Sequence, residues 1–168
     1  MNLYKALRKA LPQYDVIPLT EENYADMCQV FDTNHEFLAA GYGRLIDEKG
    51  VAGAMLQLPD DFNPEDKYLA VLRQKGKAIA SVDLLANSPT KGELYISFLV
   101  VHRDLQGKGI GSSITEGIIA AAKLAGFTRV NLGSFDYTAE FWRKQRFIQT
   151  DKDNDFIAFH RSLNERAN

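Results

Sequence analysis

The chain has 168 residues, of which 45% are apolar and 25% charged, and carries a net charge of −2. That size and balance suit one domain with a full core, and the scattered basic residues give no electrostatic grip on nucleic acid or on an anionic membrane. Cys28 is the sole cysteine, which excludes an internal disulfide and any multi-cysteine metal site.

Leu3, Leu7 and Leu11 recur every fourth residue with Lys5, Arg8 and Lys9 between them, so residues 1–12 are predicted to form a short amphipathic helix. It reads as a docked or frayed first helix of a single domain spanning 1–168, or as a surface or targeting element. No apolar run resembles a signal-peptide core or a membrane span, so the expected location is cytoplasmic. Tyr14 to Leu19 is a predicted strand. Thr20 is a plausible N-cap, with Glu21 and Glu22 in the first turn of a helix whose Tyr24, Met27, Cys28 and Phe31 share one face. Asn34 to Leu56 reads as short helices carrying Phe37, Leu38, Leu45 and Ile46 and broken by glycines, and Leu58 to Pro64 as a loop. Tyr68 to Arg73 and Ala78 to Leu85 are predicted strands around the hairpin turn Gln74–Lys77. After a turn at Asn87–Gly92, Glu93 to Val101 is a predicted strand. A helix then runs to about Ala125, with Gly126 as its C-terminal cap. Val130 and Leu132 mark another strand, Asp136 or Thr138 can cap a helix ending near Gln145, and strands at Phe147–Thr150 and Phe156–Arg161 follow.

The most informative stretch is Gln106-Gly107-Lys108-Gly109-Ile110-Gly111, between the Glu93–Val101 strand and a helix carrying Ile110, Ile114 and Ile118. First-turn N–H groups lack helical partners and the helix dipole favours an anion, so a glycine turn in this setting suits a pyrophosphate. Spacing selects among such turns. A P-loop would need a hydroxyl residue after Lys108, where Gly109 stands; a dinucleotide fingerprint would need glycine at Ser112 and an acidic residue near Asn131.

Gln106, Gly109 and Gly111 instead satisfy Gln/Arg-x-x-Gly-x-Gly. With Val101-His102-Arg103-Asp104 upstream, the segment resembles the acetyl-CoA-binding motif of the GNAT superfamily of N-acetyltransferases. Ala139 to Phe147 is similar to that superfamily's Phe-Tyr-x-x-x-Gly-Phe segment. The resemblance covers Tyr68 to His160. It implies a mixed α/β (α+β) fold, with a mostly antiparallel, splayed sheet of six to seven strands flanked by four or five helices. It also implies acetyl-CoA as cosubstrate, lying in the notch of the splay. Main chain of Leu99, Val100 and Val101 would pair with the pantetheine arm. Gln106, Gly107, Lys108, Gly109, Ile110, Gly111 and Ser112 would form the pyrophosphate cradle, and Trp142 would wall the thioester.

The resemblance places a general base eleven residues before the motif glutamine, where this chain has Tyr95. Glu93, two residues earlier on the same strand face, is the alternative base. The general acid position is occupied by Trp142, whose indole is no usable acid, so Tyr137 is the candidate substitute. Phe135 and Arg146 replace the asparagine and glycine usual around that segment. Glu36, Tyr42, Arg44 and the 59–64 loop are expected on the acceptor side. The acceptor is expected to be a small-molecule or peptide amine, with no nucleic acid or membrane partner, and the protein a monomer or homodimer. His35, His102 and His160 show no ligand spacing, and no metal is expected. With Tyr95 and Trp142 at the base and acid positions, an acyl-CoA-binding sensor without turnover is the competing expectation.

Overall fold

A computed structural model of the protein describes residues 1–36, 58 and 62–164. Seven strands form one sheet: β1 (Asp15–Pro18), β2 (Lys67–Gln74), β3 (Lys77–Ala86), β4 (Glu93–Val101), β5 (Arg129–Phe135), β6 (Ile148–Asp153) and β7 (Phe156–Ser162). Their order is β1-β2-β3-β4-β5-β7-β6, and every neighbouring pair is antiparallel except β4 with β5. The helices among the described residues are α1 (Leu3–Ala10), α2 (Tyr24–Asp32), α3 (Ile110–Ala125) and α4 (Asp136–Lys144). The mixed, mostly antiparallel sheet is the expected one, and no described helix is long and apolar enough to cross a membrane.

Local chemistry accounts for the element boundaries. The β2–β3 hairpin turns through Lys75 and Gly76, both at positive φ (51° and 76°), a turn whose twist matches its strands. The Asn23 side chain accepts from the Thr20 N–H at 2.8 Å, which starts a short 3-10 turn before α2. Gly126 ends α3 in the left-handed region, at φ 92°. At α4 the cap is neither Asp136 nor Thr138: β5 runs on to Phe135, which pairs with Phe156 and leads straight into the helix. Thr138 donates its hydroxyl back to the Phe135 carbonyl at 3.2 Å, and Asp136 faces outward to Lys152.

Strand alternation sorts the core onto two faces. On one, Val82, Leu84, Leu94 and Ile96 meet α1 and α3 through Leu3, Leu7, Leu11, Ile114 and Ile118. On the other, Leu69, Val71 and Val100 meet Met27, Val30 and Phe31 of α2, and Phe31 packs edge-on to Phe98 at 5.2 Å. Cys28 is buried on the same helix. The N-terminal leucines are thus docked, and Leu11 is 1% exposed. It fills the space a side chain at Gly117 would need, since a Cβ built there would overlap Leu11 Cγ and Cδ2. Leu11→Ala should therefore cost roughly 2–5 kcal/mol and Gly117→Ala about 1–3 kcal/mol in urea unfolding. The double variant should lose less than the sum, because the new methyl occupies the vacated space; strict additivity would show that α1 and α3 do not pack in this way.

Candidate active site

The site begins where a sheet ladder stops. β4 and β5 pair only from Glu93–Ile96 to Arg129–Leu132. Beyond that point β5 continues against β7, with Gly133, Ser134 and Phe135 opposite Ala158, Ile157 and Phe156. β4 continues against β3, with Leu99, Val100 and Val101 opposite Val82, Ser81 and Ala80. The two strands diverge, and one edge of β4 from Ser97 onward has no strand partner among the described residues. The β3–β4 register slips at the same place: Asp83 lies opposite Phe98 and Leu84 opposite Ile96, leaving Ser97 as the extra residue of a bulge. Bulges bend a strand and re-aim the side chain they free. Ser97 is exposed accordingly.

The divergence opens a cleft of about 810 Å³, within the usual range for small-molecule sites. One wall is β4 from Tyr95 to Val101. The other is Gly133, Ser134 and Phe135 with Tyr137, Thr138, Phe141 and Trp142 of α4 and Phe156 of β7. Gly107, Gly109, Gly111 and Ser112 close one end. Gly107 and Gly109 hold φ of 72° and 81°, which an L side chain rarely adopts. A Cβ at either would meet nothing, so the turn presents open space above its backbone, as an approaching ligand requires. Gly111 serves packing instead: a Cβ there would touch the Phe141 ring at 3.4 Å. Gly109 is the N-cap of α3, so the unpaired first-turn N–H groups lie at this end of the cleft.

The turn is fixed by a latch that sequence reading missed. Gln106 Nε2 donates to the Val101 carbonyl at 2.9 Å and to Asn34 Oδ1 at 2.8 Å. Asn34, 5% exposed, donates in turn to the same Val101 carbonyl at 3.1 Å and to the Val30 carbonyl at 2.9 Å. Two amide donors on one carbonyl use both its lone pairs, so the Val101 oxygen has none left for a ligand. Thr33 adds a tie, its Oγ1 accepting from the Arg103 N–H at 3.0 Å. The motif glutamine thus joins the end of β4, the glycine turn and the end of α2. The only signal for Asn34 in the sequence was a polar residue following an apolar helix face.

Other expected residues fall in different places. Lys108 Nζ donates to the Asp104 carbonyl at 2.9 Å, and neither Lys108 nor Ile110 lines the cleft. Ser112 lines it while its hydroxyl accepts from the buried Gln145 at 2.8 Å. Trp142, 8% exposed, lines the cleft and packs edge-on to Phe141 and Phe147. Tyr95 lines it too. Burial pushes its phenol above the ordinary tyrosine value, and a hydrogen bond with the Gly133 backbone offsets part of that. Tyr137 stacks on Phe135 at 5.6 Å, and partial loss of solvent pushes its phenol up as well.

Glu93 is not brought to the cleft. It sits where β4 still pairs with β5, accepts from Asn131 at 2.9 Å and faces Arg129 at 3.5 Å. Glu36, 87% exposed, faces Arg103 at 3.7 Å, while Tyr42, Arg44, residues 59–61 of the 59–64 loop and the apolar residues of 37–57 lie outside the described residues. None of the described lining residues is Asp, Glu, His, Lys or Arg. Among the described residues the cleft wall is therefore neutral, with an electropositive helix start at one end and two protonated phenols along its length.

The model of the acetyltransferase (GNAT) family matches residues 25–147. Among solved structures, an acetyltransferase from Thermus thermophilus superposes with a TM-score of 0.75 at 20% identity, over 90% of this chain and 97% of that one. The PaiA N-acetyltransferase from Thermoplasma acidophilum, in complex with coenzyme A, gives 0.65 at 13% identity, over 89% and 98%. The ribosomal-protein-S18-alanine N-acetyltransferase from Escherichia coli gives 0.66 at 16% identity, over 92% and 96%. No curated protein sequence matches the chain. At these identities the superpositions speak for the fold, whereas the family match spans well over half the chain and includes strand, glycine turn and α4. The chain belongs to the GNAT family of acetyltransferases.

Proposed function

We propose that the protein transfers an acetyl group from acetyl-CoA to a primary amine of a small molecule or a peptide. One observation carries this reading: the open edge of β4 leads directly into a glycine turn at a helix N-terminus. An extended amide chain can add to such an edge as a further strand would, and an anion suits the turn that follows. On this reading the main chain of Leu99 and Val100 holds the pantetheine arm. The N–H groups from Gly107 to Ser112 hold the pyrophosphate, and Trp142 and Phe141 exclude water. The thioester supplies the acyl group. Tyr95, whose raised pKa keeps it protonated at neutral pH, donates a hydrogen bond where charge develops and does not act as a base. Tyr137 stands along the opposite wall as the proton donor for the departing thiolate.

The absence of any described carboxylate or histidine from the cleft wall favours one competing reading, an acyl-CoA sensor without turnover. Thiol release from acetyl-CoA over a panel of primary amines separates the two: binding without release under any acceptor would establish the sensor.

Five variants test the site. Gly109→Asp places a side chain at φ 81° and a negative charge at the turn, and should abolish acetyl-CoA binding in calorimetry of the folded variant. Unchanged affinity would remove the cradle. Asn34→Ala should weaken coenzyme A binding roughly three- to tenfold, on the scale of a lost hydrogen bond or two. It should couple non-additively to Gln106→Ala, since both act on the Val101 carbonyl. Tyr95→Phe should lower kcat by about ten- to a hundredfold, at or below the scale of one oxyanion donor, with little change in acetyl-CoA affinity. Glu93→Gln should stay within about twofold of wild type, because the ion pair it weakens is partly exposed on its Arg129 side and lies away from the cleft. The reverse ranking would return the base role to Glu93.

A further inference from the structure

An amine that attacks a thioester must first lose a proton, and the described cleft wall offers only protonated phenols and neutral hydroxyls. A carboxylate stands directly behind that wall. Asp83, in the middle of β3, alternates with Val82 and Leu84, which face α1 and α3, so it points to the opposite, α2 face. It is 4% exposed. Its Oδ2 is held by Lys67 Nζ at 2.9 Å, a pair almost wholly out of water. Its Oδ1 has no hydrogen-bond partner among the described residues. A buried carboxylate oxygen without a partner is costly to keep and invites a functional reading. Phe98 of β4 lies opposite Asp83, and beside Phe98 stands Ser97, the residue the bulge frees, whose hydroxyl acts on the Asp83 carboxyl. Ser97 also lines the cleft at the point where β4 leaves β5.

We propose that Asp83, acting through the Ser97 hydroxyl, takes the proton that the acceptor ammonium must lose before it attacks. On the acetyltransferase reading, on which this rests, the ammonium N–H passes its proton to Ser97 Oγ as the Ser97 proton moves to Asp83 Oδ1. The amine lone pair is then free to form the C–N bond, and the amine's second proton leaves with the thiolate. Asp83 returns its proton to solvent between turnovers, so one proton is released per acetyl group transferred. The groups acting on Asp83 are few. Burial raises the carboxyl above the ordinary aspartate value, Lys67 on β2 and Ser97 on β4 offset part of that, and Tyr4 on α1 lies near enough for the Asp83 charge to act on its phenol. Burial makes the carboxylate a stronger proton acceptor, and the Lys67 ammonium opposes part of that rise by favouring the ionised form.

The test is the pH dependence of kcat/KM for the amine, read by coenzyme A thiol release with saturating acetyl-CoA. Spermidine and a tripeptide with a free N-terminus serve as acceptors alongside simple alkylamines. An enzyme that deprotonates bound ammonium holds a level kcat/KM from about one unit above the Asp83 pKa to about one unit below the amine pKa, near 10 for an alkylamine. Without a base only neutral amine reacts, and kcat/KM climbs tenfold per pH unit over that range. Asp83→Asn and Ser97→Ala should each convert the first profile into the second. The alkylamine rate at pH 7 should fall by roughly a hundred- to a thousandfold, and the loss should narrow as pH approaches 10. Ser97→Thr keeps the hydroxyl and should restore the level profile. Ser97→Ala alters an exposed side chain, so it answers even if Asp83→Asn fails to fold. Level profiles in both variants, with wild-type rates, would overturn the relay and leave the acetyltransferase reading standing. No thiol release by wild type with any amine would overturn that reading and the relay with it.

Discussion

The ending of the β4–β5 ladder after Ile96 and Leu132 is the constraint on which the rest of the site depends. A strand edge carries N–H and C=O groups that must meet water, another strand or a ligand, because each one buried without a partner costs on the order of 1–3 kcal/mol. Four residues of parallel pairing hold the two halves of the sheet together. β5 then follows β7 and β4 follows β3, so among the described residues no strand covers that edge of β4. The bulge at Ser97 coincides with the parting. Inserting one residue there bends β4 away and changes which side chain faces the opening.

A cleft made this way is useful only if the glycine turn at its end is held still. Gln106, Asn34 and Thr33 do this with side-chain amides and a hydroxyl, not with charge. Neutral donors do not compete for an anion, and they leave the first-turn N–H groups of α3 as the positive end of the cleft. Lys108, the charge that stands out in the motif, bonds a carbonyl of its own loop. Gly111 and Phe141 complete the fixture by letting α3 and α4 approach closely.

Much of the fold was legible because its signals are local. The 74–77 hairpin, the Glu93–Val101 strand and the Gly126 cap depend on residues within a few positions of one another. The glycine turn was legible as chemistry, because only glycine sits comfortably at φ 72° and 81°. The cap of α4 was misread because β5 runs further than its apolar pattern suggested, carrying Phe135 into the cap position. Glu93 was misplaced for a related reason. Strand alternation gave its face correctly in principle, but nothing in the sequence says where β4 and β5 stop pairing, and Glu93 lies on the closed side of that point. Asn34 acts across 72 residues on Gln106, and Asp83 answers to Ser97 only through the register of two strands. Such pairings are set by the assembled sheet and leave no periodic trace.

The distribution of charge then follows from the cleft's own physics. A carboxylate on a wall of aromatic and aliphatic side chains would either keep water in the cleft or take up a proton and lose its basicity. One strand back, paired with Lys67, it can stay ionised while the wall remains neutral, and a hydroxyl is enough to connect the two. Tyrosines suit the wall for the complementary reason. Burial that would neutralise an acid only strengthens a phenol's hold on its proton, so Tyr95 and Tyr137 remain donors. On the proposed reading, donors facing the cleft and an acceptor behind it would let proton transfer to and from an amine proceed with no charged side chain in contact with the acyl group. The bulge at Ser97 is where a hydroxyl on the cleft wall meets the carboxyl behind it.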